Sequence, residues 1–278
     1  MTTVSTDADS QLLAKFLDGQ IKRLVESVNA INGSHIPRVA RLFSLYSAVI
    51  EDAISIRILC ENARINQAYI VSRALLERLT NFCFLQLCTA PEFSDYVDYS
   101  LNKAGRSLDR SIEANGKVKA RIALNGGDFE LPPVISAAIA KFTSERGREK
   151  TRWTNVSLPD RAAVIEAKLG NTGLFMSLLT IYADASEALH GTLYGSAFHL
   201  GAYQASPPHD QASLDQHRHQ TLSALYLMAG GGIDTLFSLL ASLGDSHFKK
   251  VALASKNAFN EAAIATALMP NSDQEFCD

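Results

Sequence analysis

Four cysteines stand in 278 residues (Cys60, Cys83, Cys88 and Cys277), and no two have Cys-x-x-Cys spacing. That scarcity argues against a disulfide framework and a thiolate zinc ribbon. Three of the four fall within or at the end of apolar helical runs, where a free thiol behaves as a small hydrophobe. A reduced, cytoplasmic setting is therefore expected. Charge of one sign is also missing: 26 basic and 29 acidic residues leave a net charge of -3 and a pI near 6.2. No general electrostatic grip on nucleic acid follows from such a balance, so any RNA contact would have to be local. The chain has no Gly-x-Ser-x-Gly, no His-Glu-x-x-His and no dinucleotide fingerprint. Gly230 to Gly232 is not a phosphate loop, because no strand precedes it and no Gly-Lys-Ser or Gly-Lys-Thr follows. The opening MTTVSTDADSQ lacks the basic and apolar regions of a secretory signal.

Alternating β-branched runs are lacking too, whereas apolar residues recur at three- and four-residue spacing almost throughout. The fold class expected is all-α: a single multi-helix bundle over 1–278 with a central apolar helix and flexible ends at 1–8 and 270–278. A first helix is expected over 9–30. A second, capped by Ser34 or His35 with Pro37 in its first turn, carries an apolar stripe that includes Leu42, Tyr46, Ile54 and Ile58. The third, over 65–88, is apolar on nearly every face and is the candidate centre, with Pro91 as its stop. A fourth runs from Glu92 to Asn115, and Asn115-Gly116 and Asn125-Gly126-Gly127 mark turns. Leu222 to Leu243 approaches membrane length with one charge, Asp234, in 22 residues. Asp234 beside three glycines would be costly in lipid, so a buried bundle helix is expected there, with no membrane partner.

Two polar sets interrupt these apolar helices. Arg73, Glu77 and Asn81 stand at i, i+4 and i+8 in SRALLERLTNF and share one helical face. Tyr182, Ser186, His190 and Tyr194 repeat the same spacing further on. Burying a charge or an imidazole costs several kcal/mol unless it is partnered, so each set is either a structural network or a site. In the functional reading Arg73 presents a fork of donors to phosphate, Glu77 orients it, and His190 transfers protons near neutral pH with Ser186 one turn away. Asp184 and Glu187 are the carboxylates that could orient His190, and Arg78 is expected to reach solvent. His217 and His219, at i, i+2 on a helix, point to opposite sides, so no metal is expected, nor any cofactor. The basic run Arg146, Arg148, Lys150 and Arg152 is interleaved with glutamates and reads as a solvated turn.

Taken in order, SRALLERLTN, WTNVSL (Trp153, Ser157, Leu158) and SEALHG (Ser186, His190, Gly191) resemble a bacterial family of all-helical domains of unknown function. The resemblance covers about Ile65 to Ser196 and implies a fold and a shared polar site, and Asn81, Ser186 and Trp153 from these motifs, with Tyr194 from the four-residue series, are the candidate binding or orienting residues. More distantly the chain is similar to HEPN helical bundles, many of which are metal-independent ribonucleases. Their Arg-then-His spacing of four to six intervening residues is absent here. Two functions follow as expectations. One is a metal-independent ribonuclease in bacterial defence or stress, with His190, Arg73 and Glu77 catalytic. The other is a non-catalytic interaction or dimerisation module whose polar cluster is structural. The partners are accordingly RNA or a protein, a second copy among them.

Overall fold

A computed structural model describes residues 6–124, 130–170 and 172–266. The fold is mostly all-α, with one small two-stranded sheet. Contacts along the backbone group it into two compact units, residues 88–157 forming one and the flanking segments the other. The sequence drew no boundary at either position. Of the expected ends, residues 270–278 and 1–5 lie outside the described residues, while 6–8 open the first helix.

The larger unit begins with α1 (Thr6–Glu26), α2 (Val28–Asn32), α3 (Pro37–Arg41), α4 (Phe43–Glu61) and α5 (Ile65–Leu87). Pro37 opens α3 as expected, but the capping position is Ile36. The Ser34 hydroxyl instead accepts the Ile36 N–H two residues on. A break at Leu42 separates α3 from α4 and shifts the phase of the apolar stripe. As a result Val49, Ala53, Ile56 and Cys60 turn inward with Tyr46, and Ile54 and Ile58 are exposed.

The unit resumes with α8 (Leu158–Leu169), α9 (Leu174–Ser177), a π turn (Leu178–Tyr182), α10 (Ala183–His190) and α11 (Leu193–Ala197). Gly191, in the left-handed region at φ 66°, closes α10. A 3-10 turn (Phe198–Leu200) leads to α12 (Gln211–Ser242) and α13 (Ser246–Ala265), whose N-caps are Asp210 and Asp245. α5 and α12 share the centre: Leu75, Leu76, Leu79 and Phe82 of α5, with Leu225, Ile233, Leu236 and Phe237 of α12, are fully or almost fully buried. α12 is long and apolar enough to cross a membrane, yet two-thirds of its most apolar stretch is buried in the bundle.

Two glycines in the middle of α12 set these distances. A Cβ on Gly230 would lie 2.2 Å from the Phe16 ring of α1, and one on Gly232 would lie 2.9 Å from Leu79. Their absence of side chain lets α1 and α5 approach α12 directly.

The smaller unit holds α6 (Ala90–Ser107), β1 (Asp109–Ala114), β2 (Lys117–Ala123) and α7 (Pro133–Lys141). Pro91 does not stop α5. It sits in the first turn of α6, behind a Thr89/Glu92 capping box. The fourth helix also ends sooner than expected, because Asp109–Ala114 form the first strand of an antiparallel hairpin. Asn115 (φ 55°) and Gly116 (φ 70°) supply the paired positive φ angles that a two-residue hairpin turn demands. Its strands are exposed on both faces, so no apolar alternation betrays them. The Asn125-Gly126-Gly127 turn expected next lies outside the described residues.

Candidate functional site

Arg73 and Glu77 project from one face of α5 toward the π turn and α10. Beside them Ser72 and Leu76 are fully buried, which anchors this part of the helix in the core. On the opposing segment Ile181 and Ala185 are fully buried, and the small Ala185 and Ala188 suit close approach of α10. The π turn ends at Tyr182, one turn ahead of Ser186. Single widened turns of this kind are frequent at functional positions in helices.

Each of the three Arg73 nitrogens has an acceptor. Nε donates to Glu77 Oε1 at 3.1 Å, Nη1 to Ser186 Oγ at 2.8 Å, and Nη2 to Tyr182 Oη at 3.2 Å. The Tyr182 hydroxyl donates in turn to Glu77 Oε1 at 2.8 Å, and the guanidinium lies 4.7 Å from the centre of the Tyr182 ring. Arg73, Glu77 and Tyr182 close a ring of hydrogen bonds, and Ser186 joins it through Arg73 alone. Burial opposes the Arg73 charge, but Glu77 and Tyr182 outweigh it and hold the group above its ordinary range. Burial, then the bond to Glu77, raises the Tyr182 hydroxyl. Arg73 is 20% exposed and Glu77 40%, so the ring sits at the edge of the core.

Of the residues singled out from sequence, Arg73, Glu77 and Ser186 thus meet, and Tyr182 joins them. The others have different neighbours. Asn81 accepts from Arg161 of α8 and so ties α8 to α5. Tyr194 donates to Asp184 at 2.8 Å, which pushes its hydroxyl up to about 12, and its ring packs on Phe198 and Tyr203. Trp153 belongs to the smaller unit, edge-on to Tyr96. His190, the last residue of α10, is exposed and makes no hydrogen bond or ion pair among the described residues. The carboxylates expected to orient it are otherwise engaged, Asp184 by Tyr194 and Glu187 by the Thr192 hydroxyl at 3.0 Å.

Arg78 does not simply reach solvent. It pairs with Asp52, a carboxylate on the buried side of α4. Burial raises the Asp52 carboxyl even against that cation. His217 and His219 do turn to different partners, Gln204 and Ser10 respectively. Arg146, Arg148 and Arg152 lie exposed, in keeping with a solvated turn.

Tyr182 was visible in the sequence as a member of the four-residue series, but its role as an arginine acceptor was not. The Arg161 and Asp52 partnerships left no trace, because each joins residues on separate helices with no local spacing to announce them.

No curated protein and no solved structure matches the chain. One family model does, over residues 39–204, a span that runs from α3 through the whole Arg73 ring to the turn after α11. The chain belongs to DUF5677, a family of unknown function.

Proposed function

We propose that this protein is a non-catalytic helical interaction module and that the Arg73 ring is its internal latch. The observation that carries this reading is the engagement of all three guanidinium nitrogens: Nε, Nη1 and Nη2 each donate to a protein acceptor, and the guanidinium carbon lies over the Tyr182 ring. A carboxylate already held at Nε and a hydroxyl at each Nη commit most of the fork to the protein, whereas a phosphate-binding arginine presents it open. What the latch fixes is the segment from α9 to α11, which displays Leu179 at 74% exposure and Leu193 at 84%, with Met176 and Leu189 also exposed. Large apolar side chains held outward on a rigid support are the material of a protein interface.

Self-association is the simplest form of this reading. Sedimentation velocity over a wide concentration range should show a dimer of the full chain, and the double variant Leu179→Glu/Leu193→Glu should remain monomeric. A wild-type chain that stays monomeric throughout contradicts self-association through this face.

One observation favours the ribonuclease reading instead: the exposed, unpartnered imidazole of His190, one turn beyond the Ser186 that Arg73 holds. In that scheme His190 moves the proton and Arg73 steadies phosphate charge through the two N–H groups its ring of acceptors leaves over. RNA cleavage by the purified chain, abolished in His190→Ala with an unchanged melting temperature, would decide for the enzyme. The latch reading predicts no cleavage by either protein.

A further inference from the structure

Within the larger unit a cavity of about 710 Å³ is bounded by α9 and the π turn on one side and by α12 and α13 on the others. That volume falls in the range of small-molecule sites. Leu169, Met176, Leu227, Met228 and Phe259 contribute its apolar wall. Methionine side chains adapt to irregular ligands better than branched ones. Gly231 also lines the space, and a Cβ there would press on the Phe259 ring at 3.0 Å, so glycine lets that ring lie against α12.

Asp234 is the only charged residue between Leu222 and Leu243, and it lines the cavity. Its Oδ1 accepts from Ser255 at 2.6 Å, and no cation pairs with it among the described residues. Lys256 also lines the cavity but forms no ion pair with Asp234 among the described residues, and it and Arg23 act on the carboxyl through the longer-range field. Arg23 Nη1 and Gln20 Oε1 are buried with no hydrogen-bond partner among the described residues, and Gln20 spends its amide on the Ser255 carbonyl. A half-satisfied carboxylate in an apolar wall is costly unless a cation completes it.

We propose that this cavity binds an amphipathic organic cation, its hydrocarbon body against the methionines and Phe259 and its ammonium group on Asp234. The inference is independent of what the Arg73 ring does. A charge-assisted contact of this kind gives the carboxylate a cation in direct contact and sets orientation, while the apolar wall supplies most of the burial.

Calorimetric titration of the full chain with n-octylammonium, below its micellar concentration, tests this, with n-octanol and octanoate as chain-matched probes. Octylammonium should bind most tightly and octanoate least. Asp234→Asn should weaken octylammonium about tenfold or more, the loss expected for one charged hydrogen bond, and leave octanol nearly unchanged. Ser223→Trp, which fills the lining from α12, should abolish binding of both while Asp234 stays in place. Absence of octylammonium binding, octanoate binding as tightly as the cation, or Asp234→Asn binding it unchanged would each overturn the proposal. Should Asp234→Asn not fold, the three probes and Ser223→Trp decide the question on their own.

Discussion

At the scale of single residues, this chain illustrates how differently buried charges are settled. Each Arg73 nitrogen has an acceptor in Glu77, Tyr182 or Ser186, whereas Asp234 has one hydroxyl and no ion pair among the described residues. Burial therefore pushes the Asp234 carboxyl above its usual range, Ser255 and the distant cations notwithstanding. The consequence for stability has a definite sign. The folded chain takes up the Asp234 proton at a higher pH than the unfolded chain does, so this group favours folding in acid, and that contribution is lost as pH rises through the raised value. Asp234→Asn removes the titration. Its melting temperature should therefore gain on the wild type as pH climbs from 3.8, the ordinary aspartate value, toward neutrality. Parallel melting curves for the two proteins across that window would refute the assignment. The sequence made Asp234 conspicuous as a lone charge in an apolar run. It could not show that Ser255, 21 residues away on another helix, would be its hydrogen-bond donor.

At the scale of elements, helices were legible wherever their periodicity was reinforced by chemistry at the ends. Pro37, expected in a first turn, marks a real boundary because it supplies a preset φ, as Gly191 supplies a positive φ and Asp245 a capping oxygen. The hairpin was missed because its strands bury nothing. Its one signal, Asn115-Gly116, was read as a turn between helices. The break at Leu42 was illegible as well, since an apolar residue there continues the pattern that the backbone interrupts. In α12, the glycines excluded as a phosphate loop prove to be packing devices. Helix propensity alone favours Gly230→Ala by about 1 kcal/mol, but a methyl 2.2 Å from the Phe16 ring brings overpacking that costs about 1–3 kcal/mol. The clash should win, and Gly230→Ala should melt at a lower temperature than the wild type. Adding Phe16→Leu should recover part of that loss. A Gly230→Ala chain that melts higher would show that α1 yields freely.

For the molecule as a whole, the sequence disclosed that two distant segments share polar side chains but not the full membership of the group they form. Arg73, Glu77 and Ser186 were read correctly as neighbours because four-residue spacing on two helices leaves each set one face. Asn81, Tyr194 and His190 were grouped with them on the same spacing, yet none of the three hydrogen-bonds to these side chains among the described residues. Asn81 meets α8 instead, and α10 stops at His190 before the series reaches Tyr194. What remains joins α5 to α10 through one cation, and the position of α10 depends on this junction. The most direct measurement is a double-mutant cycle in the full chain, combining Arg73→Ala with Ser186→Ala and reading stability by urea unfolding. A latch across the two helices predicts a coupling of about 1–2 kcal/mol between the sites. A coupling within about 0.3 kcal/mol of zero, with the two losses simply adding, would contradict it.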